Sequence, residues 1–189
     1  MFNKQKKFLL NFKLLKLVLF SPLLISIPFL TNHKVEAGLE FQWDQDSGYR
    51  RLKWFQKDNK RKARNTIFFF FRPRDRKAGL LKITMKVPET FDSNLKDKVT
   101  FCQVKIGGFE GRTKCIKEIP ADIEINEDNT SIDIFPYEPI ASNKESYAIV
   151  FNKIFNPRKS GLKQFHSYGL VSGEKPISTY LGSWTIVID

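Results

Sequence analysis

Histidine and cysteine are scarce in this chain, with two of each among 189 residues. Only His166 lies beyond residue 37, and no third cysteine accompanies Cys102 and Cys115. A structural or catalytic zinc site needs three or four such ligands, so no metal and no cofactor are expected. Other chemistry is missing as well. Gly107-Gly108 with Gly111 lacks the lysine and the serine or threonine that complete a phosphate-cradling loop. No Gly-x-Ser-x-Gly nucleophile elbow occurs. Asp44-Gln45-Asp46-Ser47-Gly48 opens like a calcium loop, but its glycine comes one place early and the bidentate glutamate is absent, so it reads as a turn. His166, alone between Phe165 and Ser167, reads as structural. The sequence thus favours a non-enzymatic protein. The alternative is an envelope carbohydrate-active hydrolase whose paired carboxylates come from distant segments.

What the chain does possess starts with an export signal. Met1 to Lys16 carries Lys4, Lys6, Lys7, Lys13 and Lys16 and no acid, a bias that stays on the cytoplasmic side of a membrane. Leu17–Leu30 is apolar apart from Ser21, Ser26, Pro22 and Pro28. That length suits a signal peptide and falls short of the ~20 residues of a spanning helix. Val35-Glu36-Ala37 fits the peptidase, with the cut placed between Ala37 and Gly38. An uncleaved anchor over Phe8 to Leu30, tethering a subunit of an inner-membrane assembly, is the competing reading. No cysteine lies near the cut, which excludes a lipoprotein. The expected location is periplasmic, cell-surface or secreted. Residues 38–189 then carry 26 basic and 19 acidic side chains, a net charge of +7. In an oxidising compartment Cys102 and Cys115 read as one disulfide, worth ~3 kcal/mol in the chain-entropy model.

Beyond the signal the chain reads as short strands. Leu81, Ile83, Met85 and Val87 alternate with Lys82, Thr84 and Lys86, and Pro88 ends the run. Ile123 and Ile125 face Ile132 and Ile134 across Glu127-Asp128-Asn129-Thr130, a β-hairpin pattern. Thr66–Arg72, with four consecutive phenylalanines, suits a strand buried on both faces. Tyr147, Ile149 and Phe151 alternate, as do Trp184, Ile186 and Ile188; Val99–Ile106, Arg112–Lys117 and Gln164–Val171 add further strands. Asp44–Lys57 is the one window with a helical period. The expectation is an all-β chain: a single β-sandwich, immunoglobulin-like or Greek-key, of about eight strands after the signal helix. Its parts are a signal peptide at 1–37, a basic N-terminal segment at 38–63 and the sandwich at 64–189.

Charge is concentrated. Between Arg50 and Lys77 stand twelve basic residues against Asp58 and Asp75, a net +10, whereas Glu118 to Glu138 has seven acids and no lysine or arginine. Such a patch draws polyanions by raising their local concentration and releasing counterions. The candidate binding residues are Arg50, Arg51, Lys53, Trp54, Lys57, Lys60, Arg61, Lys62, Arg64, Arg72, Arg74 and Arg76, with Tyr49, Trp54 and Phe55 interleaved. Export makes nucleic acid an unsuitable partner. Anionic lipid headgroups, lipopolysaccharide, acidic polysaccharide or an acidic protein fit better. A solvated face with no ligand would have the same composition.

The strand ending in Val87-Pro88, the segment Phe155-Asn156-Pro157 followed by Gly161, and the closing Tyr180-Leu181-Gly182-Ser183-Trp184-Thr185-Ile186 give the chain a further character. In these it resembles the cyanobacterial exported-protein family DUF2808, a domain of unknown function, over most of residues 64 to 189. The resemblance implies a signal peptide followed by one β-rich domain, and it transfers no catalytic residue. The density of basic residues at 50–77 departs from the pattern.

Overall fold

The computed structural model describes residues 48–189 apart from 109–111 and 173–176. The export signal, its cut at Ala37, and Asp44–Ser47 lie outside the described residues. Ten strands follow one another: β1 (Trp54–Gln56), β2 (Arg64–Phe71), β3 (Leu80–Lys86), β4 (Val99–Lys105), β5 (Lys114–Glu118), β6 (Ala121–Ile125), β7 (Ser131–Pro136), β8 (Tyr147–Phe155), β9 (Gly161–Val171) and β10 (Ile177–Ile188). They form two antiparallel sheets, ordered β1-β2-β8-β4-β5 and β10-β9-β3-β7-β6. Among the described residues no helix is long and apolar enough to cross a membrane.

The period of two explains the layering. In β3, Ile83 and Met85 are fully buried while Lys82, Thr84 and Lys86 turn outward. In β2, Ile67, Phe69 and Phe71 enter the core between the sheets, and Phe68 and Phe70 join Cys102, Val104, Ala148 and Val150 in a second buried cluster. The phenylalanine run is therefore buried on both faces, as its sequence suggests. Phe69 is the pivot of the core: its ring lies 4.8 Å from Phe165 and 5.3 Å from Trp184 on the opposite sheet. These close aromatic contacts hold the sheets face to face.

Two expectations need correction. Residues 54–57 of the helical window do not form a helix; Trp54–Gln56 is a strand paired with Ile67–Phe69. The physical reason is tertiary: Leu52 is buried in the core and Trp54 packs against it, with exposed Lys53 and Phe55 between, a period of two. Residues 52–56, expected ahead of the sandwich, are thus built into it. The sandwich itself is as expected, its ten strands including β1 as an additional edge strand. The last inferred strand of the β4–β5 region begins at Lys114, not Arg112.

The two sheets are laced together at one edge. Arg50 and Leu52 exchange backbone bonds with Ser183 on β10, and two residues later the chain joins β2 as β1. The crossing depends on Gly182, whose φ is +140°; a Cβ there would lie 2.7 Å from the Arg50 carbonyl oxygen and 2.8 Å from Leu52. At the opposite edge, Cys102 of β4 and Cys115 of β5 form the expected disulfide.

Candidate functional site

The loop between β1 and β2 carries Lys57, Lys60, Arg61 and Lys62, with Arg64 opening β2, and all five are exposed. Mutual repulsion should splay such a loop, yet its backbone is pinned by two buried asparagines. Asn65 Oδ1 accepts the amide protons of Lys57 and Asp58, each at 3.0 Å, and its Nδ2 donates to Asn156 Oδ1 at 2.9 Å. Asn156 Nδ2 in turn donates to the carbonyls of Asp58 at 3.1 Å and Lys60 at 2.8 Å, and its amide donates to the Ala63 carbonyl. Buried amides that use both ends in this way fix a backbone strongly, because each lost bond leaves a desolvated group unpaired. The chain terminus adds a second tie: Arg61 donates its amide to the Asp189 carbonyl, and the Asp189 amide to that of Asn59. Lys62 sits at φ 58°, a left-handed turn position held by this framework.

The loop flanks an open groove of about 310 Å³ lined by Lys62, Asp92, Asn94, Lys98, Phe155 and Arg158, among others. Arg158 reaches Asp92 at 2.9 Å but its side chain is 77% exposed, so the pair leaves the guanidinium accessible. That hydrogen bond, rather than burial, holds the Asp92 carboxyl below its usual range. Lys98 and Arg158 were absent from the sequence-derived set because they lie far along the chain from the basic run.

The remaining candidates divide. Arg50, Arg51, Lys53 and Arg74 gather at the other end of the β1–β2 pair, where Arg50 donates to the Arg74 carbonyl. Seven residue steps of β2 separate the two ends, ~23 Å of extended chain. Trp54 and Phe55 lie between them, Phe55 exposed. Arg72 and Arg76 are corrections. Arg72 bonds Asp75 through Nε at 2.8 Å and Nη2 at 3.0 Å, closing the turn at Pro73–Asp75. Arg76 is only 2% exposed. Its guanidinium donates to the carbonyls of Ala141 and Glu145 and lies 4.7 Å over the Tyr147 ring. Burial lowers its pKa, while Tyr147, Asp75 and Glu145 pull the other way. These two arginines are engaged in fastening loops, Arg76 fully buried and Arg72 half-buried.

Asp122 and Glu124 lie exposed on β6, the opposite edge of its sheet from β10, where Arg50–Leu52 are bound, while Asp128 at the β6–β7 turn lies near Asp92 and Asn94. The charge separation in the sequence becomes a separation across the sandwich. Among the described residues, Asp133 and Asp92 are the two carboxylates with a displaced pKa, and both are lowered, as in ion pairs rather than general acids. His166 Nδ1 lies 2.7 Å from Ser183 Oγ, a spacing found in nucleophile–base pairs. Ser183, however, has no solvent exposure, and its hydroxyl also meets Tyr180 OH at 2.5 Å.

Two five-stranded antiparallel sheets around an aromatic core, with a disulfide at one edge, make this an all-β sandwich. The bridge belongs to proteins that mature outside the cytoplasm. More particularly, the chain belongs to the family described as protein of unknown function (DUF2808), whose model matches residues 42–188. No curated protein matches it in sequence. Among solved structures it is similar to BslA, a bacterial hydrophobin, at 14% identity and a TM-score of 0.45, over 75% of this chain and 95% of that one. It is similar to an uncharacterised immunoglobulin-like protein from Nocardia farcinica at 10% identity and a TM-score of 0.43, over 73% and 97%. The collagen-binding subdomain of the Enterococcus faecalis surface protein ACE gives 8% identity and a TM-score of 0.41, over 74% and 97%.

Proposed function

We propose that the protein is an exported, non-enzymatic binding module that holds an anionic polymer of the cell envelope through its basic β1–β2 edge. The observation that carries this reading is the double-asparagine clamp on the loop at 57–64. A solvated charge run needs no such framework. A binding loop gains from it, because charges already in place cost less entropy when the ligand arrives. Two cationic clusters ~23 Å apart on one edge suit an extended chain better than a compact ligand. The open groove at Lys62, Lys98 and Arg158 points the same way. An acidic polysaccharide, or the phosphates of lipopolysaccharide, has this chemistry, and a phospholipid surface or acidic protein is distinguished by the test.

The test is retention of the full protein on alginate-coated beads, on lipopolysaccharide, and on vesicles containing phosphatidylglycerol, across a salt series. The module should be retained by a polymer at low salt and released as salt rises. Lys60→Glu with Arg61→Glu should weaken retention about tenfold or more without altering thermal unfolding. Retention by vesicles alone would replace the polymer with a membrane. Absence of retention at low salt on every support would refute the reading.

A further inference from the structure

The outward face of the β10-β9-β3-β7-β6 sheet has chemistry that the basic edge does not use. Register places Tyr180 of β10 beside Tyr168 of β9, and Tyr168 beside Thr84 of β3. The two tyrosine rings lie 5.6 Å apart, and His166 follows 6.5 Å from Tyr180. All three rings are half-buried, so each keeps part of its surface in solvent. Farther along the same face, Tyr49 OH lies 3.5 Å from Thr185 Oγ1 and accepts from Gln164 Nε2 at 3.4 Å. Four aromatic side chains therefore share one sheet face, on two neighbouring strands and the segment laced against them.

These rings are held in place. Tyr180 OH and His166 Nδ1 converge on the buried Ser183 hydroxyl, which is anchored by the crossing at Gly182. Burial raises the Tyr180 pKa despite that hydrogen bond, so the phenol stays protonated and can donate. Next to the rings Lys82 pairs with Asp133 at 3.0 Å, Thr84 donates to the same carboxylate at 2.5 Å, and exposed Lys86 stands in register with His166. The rings are tilted by 55° and 48° against Tyr180, so the face offers aromatic surface interleaved with hydroxyl, imidazole and amide groups.

We propose that this face is a second binding site, for a neutral polysaccharide. A pyranose presents exactly two kinds of surface in alternation, a C–H face and a rim of hydroxyls. Tyrosine rings cover the first at small entropic cost, having only two side-chain torsions to fix. Hydroxyl, imidazole and amide groups meet the second. A sheet face with its rings in a row across adjacent strands accommodates a chain passing over it. The rings lie on the β10–β9 pair, whereas the Lys57–Arg64 loop lies on the β1–β2 pair of the other sheet; of the basic residues, Arg50 and Arg51 reach β10 at Ser183.

Native electrophoresis of the full protein through gels containing hydroxyethyl cellulose, laminarin or glycogen tests it. At least one polymer should slow the protein, with retardation unchanged by added salt, since no counterions are released. Tyr168→Ala and Tyr180→Ala should each weaken it by about tenfold, with melting measured alongside. Should Tyr168→Ala fail to fold, Gln164→Arg, at an exposed position beside Tyr49, carries the test by adding bulk and charge, and should weaken the same retardation. Lys60→Glu with Arg61→Glu should leave it intact. The proposal is overturned if no polymer slows the protein, if folded variants of Tyr168 or Tyr180 migrate like the parent, or if retardation vanishes with salt or with the Lys60 and Arg61 reversals.

Discussion

Asn156 and Arg76 show how far a residue's role depends on partners distant in sequence. Asn156-Pro157 reads in the sequence as a turn. Its amide instead reaches loop carbonyls 96 and 98 residues away and is the clamp of the candidate site. Asn156→Ala removes two bonds to loop carbonyls and leaves Asn65 Nδ2 without its partner. It should lower unfolding free energy by about 2–4 kcal/mol, read from urea denaturation, and weaken polymer retention with every loop charge still present. Charge density was legible in the sequence; inward-facing cations were not. Arg76 stands among exposed cations, and its burial is decided by carbonyls 65 and 69 residues further on. No local pattern distinguishes it from Arg74. His166 lies on β9, within the strand expected over Gln164–Val171, and its partner Ser183, 17 residues on, is not legible from spacing.

At the level of strands, the period of two carried most of the fold. It located β3 and the β6–β7 hairpin because each has one face in the core and one turned outward, and β8 because Tyr147, Ile149 and Phe151 enter the main core while the smaller Ala148 and Val150 join the second cluster. β1 escaped it, since three residues are too few to show a period and their pairing with β2 is set by tertiary contact. The outward faces hold the strand-level tests. On β7, burial acts to raise the Asp133 pKa, but the Thr84 hydroxyl and the Lys82 ammonium outweigh it and leave the carboxyl below its ordinary value. A depressed folded value means a stabilising contribution that is present above the unfolded value of ~3.9 and lost as pH falls through the folded one. Wild type should therefore exceed Asp133→Asn in melting temperature at neutral pH, and the gap should close as the pH falls through the folded value. A gap that persists in acid would show that the interaction does not depend on ionisation. On β4 and β5, Cys102→Ser with Cys115→Ser opens a loop whose ends are 13 residues apart. The double variant should lose about 2–3 kcal/mol in urea denaturation and retain the same strand content by circular dichroism.

The molecule as a whole joins a basic edge and an acidic edge through an aromatic core that fixes the distance between them. The core makes the edges rigid, so the cationic clusters on β1–β2 act at a set spacing rather than as a flexible tail. The most direct test is the affinity of the full protein for soluble alginate as a function of salt, measured for the parent and for Lys60→Glu with Arg61→Glu. A logarithmic plot should fall steeply for the parent, and the variant should bind more weakly at every salt with a shallower slope, because fewer counterions are released. An affinity indifferent to salt, or two superimposable lines, would contradict the account.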